Sequence, residues 1–149
     1  MATTTAIVKQ LQGLSFAGKS DSNHWIMMDG PQGFGGSDAG VRPKELVLLA
    51  LGGSIVSDIV SILMKKRRAL DGLEVHLTAE QSDEHPQVFT SIHIELVFHG
   101  ADFRPADVER AIKLSDAKYC AVCAMLRPAV RISHAYRIES AKTTAGNAA

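Results

Sequence analysis

The spacing of apolar and polar residues predicts a short N-terminal hairpin followed by a loop. Two β-prone runs, Thr3–Leu11 and His24–Met28, are long enough for strands, and the second ends in the turn sequence Asp29-Gly30-Pro31. Residues 29–42 carry five of the twelve glycines, a density that suits neither a helix nor a regular strand. We therefore expect a loop that leads from the hairpin into the next element.

A long central helix is predicted from Pro43 to Arg68. Proline suits the first helical position because its missing N–H would have no partner there. The first half of the segment is apolar nearly all round, which indicates burial on several sides. Cations occupy positions 65–68, where the negative end of the helix dipole favours them, and Asp71-Gly72 is a turn that closes the element.

One polar seam interrupts this apolar helix at the spacing i, i+3, i+4 and i+7. Buried polar groups need hydrogen-bond partners, and helix rules favour serine hydroxyls that bond back to the preceding turn, or close packing over Gly52-Gly53. The serine after the two glycines fails the G-x-S-x-G pattern of serine hydrolases because Val56 stands at the last position. The seam consists of Ser54, Ser57, Asp58 and Ser61.

The second half of the chain predicts a hairpin, two helices and a last strand. Apolar residues alternate with polar ones over 73–80 and again over 92–98, on either side of a polar turn. Pro105 opens a helical segment, and Ser115 is a candidate N-cap for a short helix over Lys118–Leu126. Alternation returns from Val130 to Ile138. This order of elements is typical of an α+β fold.

Composition and charge describe one soluble domain over residues 1–149. The chain has 16 basic and 16 acidic residues and no net charge, which argues against a nucleic acid or an anionic membrane as partner. The longest apolar run, Leu46–Leu51, is far shorter than the about 18 residues of a membrane span. The first ten residues lack signal-peptide features, so the expected location is the cytoplasm.

The sequence predicts neither a metal nor a cofactor. The glycine-rich loop lacks the spacings that cradle phosphates. No histidine pair has HExxH spacing, and the two cysteines have no second pair with which to complete a zinc site.

The two cysteines, Cys120 and Cys123, are the clearest candidates for chemistry. We expect Cys120 near the start of the helix capped by Ser115 and beside Lys118, where the positive helix end and a cation both favour a thiolate. Cys123, one turn further on, could resolve a sulfenic acid on Cys120. The alternative is that both are small core residues, since free cysteine is among the most buried residue types.

Several segments together resemble the osmotically inducible protein C and organic hydroperoxide resistance (OsmC/Ohr) family, in its OsmC-like subgroup. They include FAGKSDSNHWIMMDG near the N-terminus, PKELVLLALGGSIVSDIVSI in the long helix, EHPQVFT after the first alternating run, and IKLSDAKYCAVCAML. The resemblance implies an intertwined homodimer of α+β subunits with two active sites at the dimer interface. Active members reduce organic hydroperoxides through a peroxidatic and a resolving cysteine, with a thiol reductant.

The resemblance places Cys120 at the resolving position and Ser54 at the peroxidatic one. A serine hydroxyl cannot form the sulfenic acid that this chemistry requires. Glu45 corresponds to the activating glutamate as the OsmC-like subgroup has it, and no activating arginine can be matched. Three hypotheses follow: a non-catalytic relative that binds a small apolar ligand at the dimer interface, a peroxidase in which an introduced Ser54 replaces cysteine, or a redox protein that uses Cys120 and Cys123 as its dithiol.

Overall fold

The computed structural model describes residues 1–68 and 70–139. They form two compact units, Met1–Leu49 and the residues from Ala50 onward. The single domain expected over residues 1–149 stays a prediction. The element order is that of an α+β chain, as predicted. The elements are β1 (Ala6–Gln12), β2 (Ser15–Ser20), β3 (Ile26–Met28), α1 (Pro43–Lys65), β4 (Gly72–Gln81), β5 (Phe89–His99), α2 (Pro105–Leu114), α3 (Ala121–Leu126) and β6 (Arg131–Glu139).

The first unit contains a three-stranded antiparallel sheet in the order β1-β2-β3. The predicted pairing of the first and third strands as a hairpin is wrong, because β2 lies between them and pairs with both. Its sequence, SFAGKS, has no alternation of apolar and polar residues, so the pattern gave no sign of a strand. The turn before it places Gly13 in the left-handed region at φ 56°, where glycine carries no steric cost.

The glycine-rich loop is held by the buried carboxylate of Asp29. This carboxylate accepts hydrogen bonds from the Ser15 hydroxyl at 2.7 Å and from the backbone N–H groups of Gly30, Ser37 and Ala39. The bond from Ser15, followed by the backbone donors, holds the pKa of Asp29 below its ordinary value. The predicted loop is therefore an ordered segment closed around one acid.

Helix α1 begins at Pro43, as predicted, and ends at Lys65, three residues before the predicted end. Arg67 adopts φ 54°, and the N–H groups of Arg67 and Arg68 bond to the carbonyls of Met64 and Leu63. These bonds make a Schellman ending, which here uses an arginine where glycine is usual. The cations thus lie at and beyond the helix end. The buried stripe of the helix is Leu51, Gly52, Ile55, Ile59 and Leu63.

This helix is less buried than its composition predicts. Only 28% of its most apolar window is buried, and Leu49 and Met64 are exposed. By length and mean hydropathy the helix could cross a membrane, but the core helix of a soluble protein passes the same test.

The second unit contains a sheet in the order β4-β5-β6, which carries the core. β4 and β5 form the predicted hairpin, and β6 pairs parallel to β5 from Arg131 to Glu139. The parallel pairing arises because α2 and α3 carry the chain back to the same end of the sheet. The end of β5 is buried on both faces at Leu96, Val97 and Phe98.

The connection between α2 and α3 differs from the prediction. The chain continues from α2 into a π-helical turn over Ser115–Tyr119, and α3 begins only at Ala121. Ser115 is not the N-cap of a helix: its hydroxyl donates to the Asp58 carboxylate at 3.1 Å. The N-cap of α3 is Cys120. The prediction failed because Ser115 has a partner on α1, which a local capping rule cannot anticipate.

Candidate thiol site

Three predicted site residues meet between α1 and α3. The Cys120 thiol lies 3.3 Å from the Ser54 hydroxyl and is placed to donate to it. The backbone N–H of Cys123 donates to the Cys120 sulfur, also at 3.3 Å. Cys120 is 2% exposed and Cys123 is fully buried, and both are free thiols. Ser54, which is half-buried, and the two buried cysteines therefore form one polar cluster.

The backbone at Cys120 explains why its sulfur receives an N–H group. Cys120 has extended dihedral angles, φ −70° and ψ 98°, and precedes the first turn of α3. At such an N-cap a side-chain acceptor usually bonds to an N–H of the second or third helical residue. Here the sulfur takes the place of the usual oxygen, and Cys123 is the third helical residue. The C-x-x-C spacing thus puts both thiols on the same turn.

Cys123 is held as a neutral thiol. Burial, followed by the hydrogen bond and charge interaction with Cys120, raises the pKa of Cys123 from 9.0 to about 12. Such a thiol is a poor first nucleophile at neutral pH because almost none of it is thiolate. It remains able to attack a sulfur that has already been oxidised, since a sulfenic acid is an electrophile.

On α1 the two glycines before Ser54 have different surroundings. A Cβ on Gly52 would stand 3.0 Å from the Leu77 side chain, so the absent side chain lets α1 approach β4 closely. A Cβ on Gly53 would meet nothing within 4 Å, and the residue is exposed. Close packing over the first glycine fixes the position of the helix turn that carries Ser54.

The polar seam of α1 is satisfied in two ways. The Ser57 hydroxyl donates to the Gly53 carbonyl at 2.8 Å, which confirms the expected bond to the preceding turn. Asp58 instead accepts the Ser115 hydroxyl, and the Ser115 carbonyl accepts the Cys120 N–H at 2.8 Å. The sequence did not predict the contact between Asp58 and Ser115. Its only signal was an acid on an apolar helix.

The remaining predicted site residue, Glu45, lies in the first unit. Its carboxylate accepts the backbone N–H of Arg42 at 3.0 Å, across the N-terminus of α1. A glutamate at the third helical position that bonds back to the N-cap is one half of a capping box. Arg42 itself bonds to the Asp38 carboxylate and the Gly40 carbonyl. The structure thus gives Glu45 a role in beginning the helix, and its role as an activating group stays a prediction.

No three His, Cys, Asp or Glu side chains of residues 1–68 and 70–139 are grouped as metal ligands. The histidines of the second sheet have other surroundings. His93 shares a hydrogen bond of 2.8 Å with the Ser133 hydroxyl, and burial lowers the pKa of His134. In the second unit, the hydrogen bonds among Ser54, Cys120 and Cys123 therefore make the thiol cluster the candidate reactive site.

Comparison with known proteins identifies the family. The model of the OsmC-like protein family matches residues 35–135, which include the whole cluster. The chain belongs to the OsmC-like family. It is 44% identical to protein YhfA of Escherichia coli over 136 residues, which cover 91% of this chain and 98% of that one. The resemblance seen in the sequence motifs is thereby confirmed.

Solved structures agree with this OsmC-like assignment. A hypothetical protein from Aquifex aeolicus is 25% identical, with a TM-score of 0.83 over 95% of this chain and 100% of that one. An organic hydroperoxide resistance protein OsmC from Legionella pneumophila is 12% identical, with a TM-score of 0.68 over 91% and 97%. At that identity the second likeness shows only that the fold is shared.

Proposed function

We propose that this OsmC-like protein reduces organic hydroperoxides through Cys120 and Cys123. The observation that carries the proposal is the Cys120 sulfur, which lies 3.3 Å from both the Ser54 hydroxyl and the Cys123 N–H. The structural neighbour from Legionella pneumophila is described as an organic hydroperoxide resistance protein, which supports the choice of oxidant.

Ser54 acts in this proposal by positioning the reactive sulfur. Its oxygen cannot form a sulfenic acid, so the first oxidation falls to Cys120. The hydroxyl can rotate, and on loss of the thiol proton it can donate to the sulfur instead of accepting from it. The thiolate would then have two donors, Ser54 and the Cys123 N–H, which stabilise negative charge on the sulfur.

The reaction balances with a thiol as reductant. The Cys120 thiolate attacks the terminal oxygen of the hydroperoxide, the O–O bond breaks, and the alcohol leaves with a proton while the sulfur becomes a sulfenic acid. The Cys123 thiol then attacks that sulfur, the disulfide forms, and water leaves with the Cys123 proton. Two electrons from a small dithiol return both cysteines to thiols. The high pKa of Cys123 disfavours its direct reaction with the hydroperoxide, which leaves the first oxidation to Cys120.

Consumption of cumene hydroperoxide with a dithiol reductant tests the proposal. We expect slow turnover by the unmodified protein, because Cys120 is 2% exposed, and loss of turnover to the background rate in Cys120→Ala. In the absence of the dithiol, Cys123→Ala should undergo a single oxidation that stops at the sulfenic acid, which dimedone traps. Ser57→Ala is the matched control, since its hydroxyl donates to the Gly53 carbonyl and has no contact with the thiol cluster among residues 1–68 and 70–139.

The Ser54→Cys variant separates this proposal from the other hypotheses. Turnover that appears only in Ser54→Cys would show a peroxidase pocket that lacks one sulfur, and would contradict a working Cys120–Cys123 pair. Absence of turnover in both proteins would overturn the peroxidase proposal altogether.

A second candidate function, the binding of a small apolar ligand, has its own supporting observation. A cleft of about 300 Å³ lies beside the thiol cluster, between α1 and the segment from α2 to Tyr119. Its volume is at the lower end of the range for ligand pockets, so it suits one small molecule. Binding without turnover would favour this function over the first.

We also propose that the protein is a homodimer, the assembly implied by its family. Several apolar residues of the first sheet are exposed, and so is much of α1; those of the sheet are Ile7, Val8, Leu11, Ile26 and Met27. A second copy of the chain is the simplest cover for such surfaces. Location in the cytoplasm, and the absence of nucleic-acid and membrane partners, stay predictions.

A further inference from the structure

The cleft beside the thiol cluster has an uneven distribution of charge. One wall is a stripe of α1 in which Asp58, Ile62 and Lys65 follow one another at helical spacing. The facing wall carries Arg110 and Leu114 from α2 and Tyr119 from the π-helical turn. Ile62, Leu114 and Tyr119 therefore form an apolar patch in the wall of the cleft, and polar side chains surround this patch.

Three cations line the cleft, and two of them, Lys65 and Arg110, have no acidic partner among the described residues. Lys65 and Arg110 are in no ion pair or side-chain hydrogen bond there, although both line the cleft. Lys66, the next residue, differs because its ammonium group lies 3.1 Å from the Asp107 carboxylate. Cations that line a concave surface and have no ion-pair partner attract anions more strongly than the same cations on a convex surface.

The acid of the cleft orients a ligand. Asp58 lies toward the thiol cluster, because its carboxylate accepts the hydroxyl of Ser115 in the turn that leads to Cys120. Lys65 follows Asp58 by seven residues, about 10 Å along the helix axis. A ligand anion is thus repelled at the thiol end and attracted at the far end.

We propose that this cleft binds organic anions, a carboxylate or phosphate on a short apolar body, through Lys65 and Arg110. The anionic group binds to the two cations, and the apolar body lies along Ile62, Leu114 and Tyr119 toward the thiol cluster. This deepens the ligand-binding candidate function. It does not depend on whether Cys120 reacts with hydroperoxides, because the groups that bind the anion are not those that carry the redox chemistry.

Isothermal titration calorimetry with matched probes tests the proposal on the full chain. Hexanoate and hexanol share an apolar body and differ in charge, and hexyl phosphate replaces the carboxylate by a phosphate. At low salt we expect hexanoate to bind at least about tenfold more tightly than hexanol, with the difference shrinking as salt screens the charges. Comparison of hexanoate with hexyl phosphate shows which anion the cleft prefers.

Charge-removing variants assign the effect to the two cations. Lys65→Gln and Arg110→Gln should each weaken hexanoate binding, and the double variant should bind hexanoate no better than hexanol. Lys113→Gln removes the same charge from the same helix as Arg110 but lies outside the cleft, so hexanoate binding should persist. Hexanol binding serves as the check that each variant is folded.

Three outcomes would overturn the proposal. They are equal affinity for hexanoate and hexanol, no measurable binding of any probe, and a loss in Lys113→Gln as large as that in Lys65→Gln. None of them bears on hydroperoxide turnover, which is measured separately with Cys120→Ala, so failure of one proposal is distinguishable from failure of the other.

Discussion

At the scale of single residues, the position of Cys120 decides what the site can do. As the N-cap of α3, Cys120 accepts a hydrogen bond from the Cys123 N–H through its sulfur. The sulfur also contacts the hydroxyl of Ser54, at the position where the family resemblance implies a cysteine. Helix rules applied to the sequence favoured hydroxyls bonded to the preceding turn, or close packing over the two glycines, for the polar seam, and only the resemblance gave Ser54 a place in the chemistry. The reason is that the contact joins residues 54 and 120, which no local pattern relates.

The reactivity of Cys123 gives a prediction at this scale. A pKa raised from 9.0 to about 12 strongly lowers the thiolate fraction of Cys123 at pH 8. We therefore expect iodoacetamide to modify Cys123 much more slowly in the folded protein than in urea, as measured by peptide mass spectrometry. The urea-unfolded chain is the control for intrinsic reactivity. Labelling of Cys123 at equal rates in both states would contradict the burial that the structure shows.

At the scale of elements, the chain is predictable where periodicity is strong and local. α1, the β4–β5 hairpin and β6 follow from hydrophobic spacing to within a few residues. β2 was missed because SFAGKS does not alternate, and Ser115 was assigned as a cap because its partner, Asp58, lies on a distant element. Contacts between residues distant in sequence, and strands without alternating apolar residues, cannot be predicted from local sequence patterns.

The junction of α1 and α2 gives a prediction about pH. Hydrogen bonds from Arg104 and Lys66 lower the pKa of Asp107 from 3.8 to about 2, and Arg68 lies 3.2 Å away. A carboxylate whose pKa is lower in the folded state than in the unfolded chain stabilises the fold at pH values above the unfolded-state pKa. That contribution is lost as the pH falls from about 4 toward about 2. In Asp107→Asn we expect a lower free energy of unfolding at pH 7 and a weaker dependence on pH in this acid range.

Urea unfolding at several pH values, followed by circular dichroism, measures this effect. Asp102→Asn is the matched control, because Asp102 is exposed in the loop before α2 and has no ion pair in the part of the chain described. The control should keep both the stability at neutral pH and the steep acid dependence. Equal acid dependence in the two variants would show that Asp107 is not the group that links α1 to α2.

At the scale of the whole molecule, a single chain exposes many apolar side chains to solvent. In the first unit every residue of β1 is exposed, including Ile7 at 45% and Val8 at 61%, although adjacent strand residues point to opposite faces. A sheet that exposes apolar residues on both faces is energetically unfavourable in water. The zero net charge removes the repulsion that would keep copies apart. Both observations favour the proposed homodimer.

Light scattering coupled to size exclusion tests that assembly. We expect twice the 16.0 kDa of one chain at micromolar concentration. The double variant Ile7→Asp/Val8→Asp places a charge on each face of β1 and should shift the mass toward one chain, because burying an unpaired carboxylate in an interface is costly. Thr3→Asp/Thr4→Asp adds the same two charges just before the strand and should remain dimeric. A mass of 16.0 kDa for the unmodified protein would contradict the homodimer directly, and the exposed sheet would then need a different partner.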